Sequence, residues 1–180
     1  MKILGGGYRS RQIKIPFGIR PVSLRVKKAC FDILAAELPG IRVLDLFSGS
    51  GSLGLEALSR GAEQAVFVEA TASCADAIRK NISALELGPK TKVYQRKVLD
   101  IIEYFFKQRE KFDCVFMDPP YYKGILRKAL QALEEYDIVT PSGYVVAFGY
   151  IKDDFIEESR VLTLIDKRIY GQTIVLIYKR

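Results

Sequence analysis

Asp45-Leu46-Phe47-Ser48-Gly49-Ser50-Gly51-Ser52-Leu53-Gly54 is the stretch on which the fold turns. It continues from Ile41-Arg42-Val43-Leu44, so an apolar strand runs directly into a Gly-x-Gly-x-x-Gly turn. Leu55, Leu58 and Arg60 then carry a helix that Gly61 stops. A strand, a glycine turn and a helix in that order open a βαβ unit that binds a nucleotide-like ligand at the helix start. Glu69 lies 20 residues after Gly49, where an acid that accepts ribose hydroxyl hydrogens is expected.

Asp45 narrows the choice of ligand. A carboxylate four residues before the first glycine faces and repels the pyrophosphate of a nicotinamide cofactor. The same carboxylate attracts a cofactor that carries an ammonium and a sulfonium, and S-adenosylmethionine is such a molecule. Phe47, Gly49, Gly51 and Ala70 flank the two acids and complete this candidate cofactor set on the first two strands.

Outward from this unit the alternation continues. Ser23 caps a first helix with Val26, Cys30, Ile33 and Leu34 on one face and Arg25 and Lys28 roughly opposite, ended by Pro39-Gly40. A strand over 65–68 ends at Glu69, and a helix over 71–85 places Cys74, Ile78, Ile82 and Leu85 on one face. A weaker strand is expected over 93–96, a helix over 101–108, a strand over 114–117, and a helix marked by Leu126, Ala129, Leu130 and Leu133. Thr140-Pro141-Ser142-Gly143 precedes a strand over 144–148. Segments 161–169 and 173–178, joined at Tyr170-Gly171-Gln172, form a closing antiparallel hairpin. The expected fold class is α/β: a Rossmann-like, doubly wound, seven-stranded and mostly parallel sheet with a C-terminal antiparallel hairpin.

A second candidate site follows the fourth strand, at the same carboxyl edge of the sheet: Asp118-Pro119-Pro120-Tyr121. Two prolines fix the backbone so that the Pro119 carbonyl points outward, with no proline N–H to satisfy it. Asp118 adds a side-chain acceptor. Two acceptors suit the two hydrogens of a flat, conjugated amine, and gripping both aims the nitrogen lone pair at a methyl group held in line. Tyr121 or Tyr122 stacks on the ring.

The chain is 180 residues long, about one domain, with 49% hydrophobic and 27% charged residues. No apolar run approaches the ~20 residues of a spanning helix, and the N-terminus lacks the apolar core of a secretory signal. Three cysteines argue against a disulfide scaffold and for a reducing compartment, so a cytoplasmic protein is expected. The net charge is +7. Eight cations and no acid lie between Met1 and Phe31, which leaves 20 basic against 21 acidic residues in the remainder. The whole excess sits at one end, as in a polyanion-binding arm. The division expected is a basic RNA-binding arm over 1–22, an appendage, and a catalytic domain over 23–180. Arg9, Arg11, Arg20, Arg25 and Lys28 are the RNA-binding candidates.

These motifs resemble those of the class I S-adenosylmethionine-dependent methyltransferases: 45–54, Glu69, and Asp118-Pro119-Pro120-Tyr121. Gly5-Gly6-Gly7-Tyr8-Arg9-Ser10-Arg11, then Arg20-Pro21 and the helix from Arg25, are similar to the RsmD-type methyltransferases, and the likeness covers nearly the whole chain. The resemblance implies methylation of the exocyclic N2 amine of a guanine in 16S ribosomal RNA, with the small ribosomal subunit as partner. Two positions depart from that pattern. Val22 stands where threonine usually follows Arg-Pro, and Lys97-Val98 stands where an acidic or amide residue usually holds the adenine amine. The adenine is then expected on backbone groups of Val98 and Leu99, with Asp100 as the fallback.

The cysteines read as small buried hydrophobes, and none follows a proline, which disfavours covalent attack on a pyrimidine carbon. No histidine occurs anywhere, which removes Ser/His and Cys/His pairs and the commonest metal ligand, so no metal is expected. The rival readings are an amine methyltransferase acting on DNA adenine or protein glutamine, a nicotinamide enzyme, and a non-catalytic RNA-binding module.

Overall fold

The computed structural model describes residues 1–121, 124–157 and 159–180. Tyr122 lies outside the described residues. Seven strands form one sheet in the order β3-β2-β1-β4-β5-β7-β6: β1 Arg42–Leu46, β2 Gln64–Val68, β3 Thr91–Tyr94, β4 Phe112–Met117, β5 Val139–Tyr150, β6 Thr163–Tyr170 and β7 Thr173–Lys179. Strands β3, β2, β1, β4 and β5 run parallel, with Leu46 opposite Val68 on one side and Met117 on the other. The last two are antiparallel, and Tyr170 pairs with Thr173 across a two-residue turn. The expected fold class is the one observed.

Alternation of burial in each central strand is replaced by continuous burial, because helices cover both faces. On one face lie α1 Leu24–Ile33, α2 Ser52–Ser59 and α3 Ala72–Ala84, whose Cys30, Leu55 and Ile78 join Phe67 and Phe116 from the sheet. On the other lie α4 Val98–Lys107 and α5 Ile125–Glu135, where Ile101, Phe105, Ala129 and Leu133 meet Val66, Val115 and Tyr178. At Gly54, the third glycine of the turn, an added Cβ would stand 2.4 Å from a ring carbon of Phe67. Only glycine lets α2 lie this close to β2.

Several boundaries differ from expectation. Helix α1 ends at Ile33, not at Pro39-Gly40: the Leu34 N–H still donates to Cys30 O, then the chain turns so that Leu38 is buried. Burial of that leucine overrides the helical continuation. Helix α4 begins at Val98 rather than Ile101, since Val98, Ile101, Ile102 and Phe105 all face the core at i, i+3, i+4 and i+7. Strand β5 starts at Val139 and runs through Pro141-Ser142-Gly143, with a break in register opposite Phe112 and Cys114.

The first 22 residues are not an appendage. Ile3, Ile13 and Val22 are buried in the core of the α1–α3 face. Lys2 bridges Gln12 in antiparallel fashion. The Leu4 and Gly5 N–H groups donate to the Glu56 carboxylate of α2, both at 2.9 Å, and Lys14 N–H donates to Asn81 of α3 at 2.8 Å. Net positive charge said nothing about this docking; the apolar residues at 3, 13 and 22 produce it.

Candidate functional site

One cavity of about 670 Å³ opens at the carboxyl edge of the sheet. The strand order arranges its walls: Lys97 and Val98 after β3, Glu69 and Ala70 after β2, Phe47 and Gly49 after β1, and Asp118, Pro119, Pro120 and Tyr121 after β4. Residues 18–23 cover it from the N-terminal segment, and Thr173 reaches it from β7. The two sites expected from sequence therefore share a single space.

Ser48 ties the ends of β1 and β2 together. Its hydroxyl lies 2.6 Å from Asp45 O and 3.1 Å from Val68 O, and it accepts the Val68 N–H at 3.0 Å. Next to it, Glu69 holds the glycine turn: its two carboxylate oxygens accept the Gly49 N–H at 2.9 Å and the Thr71 N–H at 2.8 Å. Each oxygen keeps a further lone pair for a ligand hydroxyl.

Asp45 is 1% exposed and sits beneath the cavity rather than on its wall. Its Oδ2 accepts the Gly54 N–H at 2.9 Å, whereas Oδ1 is buried with no partner. Burial raises its pKa well above the ordinary aspartate value; the Gly54 hydrogen bond opposes this, and the charges of Asp118 and Glu69 add to it. A buried acid with an orphaned oxygen is a stored demand for positive charge or a donor. S-adenosylmethionine, with its ammonium, sulfonium and ribose diol, fits this set of acids; a pyrophosphate does not.

Asp118 faces the cavity, yet protein surrounds its carboxyl so closely that burial pushes its pKa up to about 7, against the pull of the Arg20 charge. Tyr121 is fixed from two sides, by a hydrogen bond with Thr173 and by the Tyr150 ring 6.2 Å away. Burial raises its pKa first of all.

Of the cofactor candidates, Phe47, Gly49, Glu69, Ala70 and Val98 line the cavity. Gly51 does not, because it is the left-handed N-cap of α2 and Ser50 takes its place on the wall. Leu99 and Asp100 do not either: in the first turn of α4 they are exposed and directed away, and Lys97, the N-cap, stands at the rim instead. Among the RNA candidates only Arg20 borders the cavity. Arg9 and Arg25 are exposed, Arg11 donates to Ala84 O at 3.0 Å, and Lys28 pairs with Asp32 at 2.6 Å. Lys27, one of the eight cations at this end, is fully buried against Glu56 at 3.0 Å and is lost to any polyanion. Sequence reasoning missed the 18–23 cover and Thr173; no local signal marks a threonine in the C-terminal hairpin, since only β7 pairing beside β5 brings it there.

Cys30, Cys74 and Cys114 are buried and unpaired with one another, and burial lifts the Cys30 thiol to about 12. Among the described residues no cluster of three His, Cys, Asp or Glu could hold a metal, and no helix is long and apolar enough to cross a membrane.

Comparison with known proteins agrees with this geometry. A putative rRNA methyltransferase, YlbH of Bacillus subtilis, is 33% identical over all of this chain and 99% of its own length. The ribosomal RNA small subunit methyltransferase D of Escherichia coli is 28% identical, over 100% of this chain and 90% of its own. The solved structure of a putative methyltransferase from Escherichia coli, yhhF, superposes with a TM-score of 0.87 at 29% identity, covering 100% of this chain and 97% of that one. The family model described as conserved hypothetical protein 95 matches residues 1–179. The RsmD-type resemblance drawn from the motifs is borne out, and it includes the N-terminal segment as well as the sheet. A match from the first residue to the last but one leaves no part of the fold outside it: the chain belongs to the family described as conserved hypothetical protein 95.

Proposed function

We propose that the protein transfers a methyl group from S-adenosylmethionine to the N2 amine of a guanine in small-subunit (16S) ribosomal RNA. The observation that carries this reading is the single cavity lined by both Glu69 and Asp118-Pro119-Pro120-Tyr121, with the orphaned Asp45 oxygen buried behind its wall. The family membership and the printed names of the relatives support it.

S-adenosylmethionine, when bound, supplies an electrophilic methyl group on a positively charged sulfur. Glu69 would accept hydrogen from its ribose, Phe47, Gly49, Ala70 and Val98 would enclose it, and its positive charge would draw the buried Asp45 carboxyl behind the wall towards the ionised form. The Pro119 carbonyl and the Asp118 carboxylate accept the two hydrogens of the guanine amine, and Tyr121 packs the base flat. As positive charge grows on the nitrogen, Asp118 stabilises it, and a carboxyl poised near 7 also takes the proton that the amine releases. Positioning and electrostatics do most of the work. Residues 1–22 hold RNA at the mouth of the cavity and 23–180 carry the transferase, which acts in the cytoplasm on the small subunit or its RNA.

Tritium transfer from labelled S-adenosylmethionine to small ribosomal subunits, followed by nucleoside analysis, tests the reading. N2-methylguanosine is expected. Label in adenosine or in the subunit's proteins, or faster transfer to DNA offered in parallel, overturns it.

A further inference from the structure

Phe17 stands wholly in solvent, with a relative accessibility of 107%, whereas the other exposed large hydrophobics range from 38% to 54%. The backbone holds it there. Ile19 N–H donates to Pro16 O at 3.4 Å and Gly18 has φ +79°, so residues 16–19 form a tight turn of the kind that needs glycine third, with Phe17 at its tip. The turn is itself seated on the cavity: Gly18, Ile19 and Arg20 line the mouth, and the Ile19 side chain lies against Gly49. Along an extended chain Phe17 is at most ~11 Å from Arg20. No acid occurs in the first 31 residues.

An exposed ring three residues from a cation, on a turn that borders the cavity, is the arrangement that holds single-stranded nucleic acid: aromatic faces stack bases and cations follow the backbone. We propose that Phe17 is a stacking platform for a nucleotide next to the target guanine, with Arg20 meeting a phosphate between the two. The inference rests on the RNA reading above and adds a second base-binding position outside the catalytic cavity. Stacking is tolerant of base identity, so Phe17 contributes affinity and pulls the target strand open rather than choosing a sequence. Arg20 acts differently, because its contact releases counterions.

The chain contains no tryptophan, so Phe17→Trp introduces a sole tryptophan, excited apart from the tyrosines, at the tip of the turn. The probe is an unmodified transcript of small-subunit ribosomal RNA, and binding is followed for the parent, Phe17→Trp, Phe17→Leu and Arg20→Ala. Phe17→Trp should bind within about threefold of the parent and its fluorescence should be quenched by RNA. Phe17→Leu should lose about 5- to 150-fold in affinity with an unchanged salt slope. Arg20→Ala should instead flatten that slope by about one phosphate contact. Calorimetric binding of S-adenosylmethionine should be the same in Phe17→Leu as in the parent. Parent-like RNA binding by Phe17→Leu, or an unquenched Trp reporter on bound RNA, overturns the inference alone. A parent that binds neither the transcript nor small ribosomal subunits overturns both readings. A response to anionic phospholipid vesicles without a response to RNA assigns the ring to a membrane surface and likewise overturns it.

Discussion

Lys27 and Glu56 meet at 3.0 Å with both side chains entirely out of water. The pair lies where three elements join, because Glu56 also accepts the Leu4 and Gly5 N–H groups and the Arg60 guanidinium, while Lys27 reaches Ser52 Oγ at 3.2 Å. Burial lowers the Lys27 pKa and Glu56 pulls it back up. The carboxylate thus fastens the N-terminal segment, α1 and α2 at one point.

Removing the acid strands a buried ammonium and two backbone donors at once. Glu56→Ala should lower unfolding free energy by about 3–5 kcal/mol. Lys27→Met should cost much less, because Glu56 keeps Arg60 and both N–H groups. Urea denaturation of the two variants checks the order, and equal losses would mean that Glu56 is not the hub.

Glu69→Ala should weaken S-adenosylmethionine binding about 10- to 100-fold, from the lost hydrogen bonds to a charged acceptor. Calorimetry reads this directly. Unchanged affinity removes Glu69 from the cofactor site.

Asp118 gives opposite signs for stability and activity. Its pKa rises from 3.8 in the unfolded chain to about 7 in the fold, so its protonated form stabilises the protein. That contribution is complete below 3.8 and is lost as pH rises through 7. Asp118→Asn should therefore be the more stable protein at pH 8, on the order of 2 kcal/mol after allowing for water in the cavity. Methyl transfer needs the ionised form, so parental kcat/KM should climb through pH 7 and level off, while the variant should be at least about 100-fold slower with no such rise. Thermal melts and rate profiles from pH 5 to 9 test both halves.

If about four cations meet phosphate, log affinity for RNA should fall against log salt with a slope near −3. Exposed Arg9, Arg20 and Arg25 are available for this, and Lys27 is not. A flat salt response would make the N-terminal charge a solvated surface only.

Much of this was legible in order along the chain. The glycine turn, Glu69 and Asp118-Pro119-Pro120-Tyr121 each follow an apolar run, and parallel βαβ winding puts the ends of such strands at one edge of the sheet. Motif and topology together therefore place the chemistry without any knowledge of contacts. Helix α4 was only partly read, because its first turn is exposed apart from Val98 and carries little periodic signal.

What tertiary structure alone decided is which residues touch the cavity and which stand behind it. Spacing could not separate Asp45, sunk beneath the wall on Gly54, from Asp118, which faces the space. Nor could it show that Lys27 is spent on Glu56, or that the basic N-terminal stretch closes over the mouth on buried Ile3, Ile13 and Val22. Local order is set by bonds between near neighbours along the chain, whereas desolvation depends on everything packed around a side chain. Here those neighbours come from both ends of the sequence, from Leu4 to Thr173.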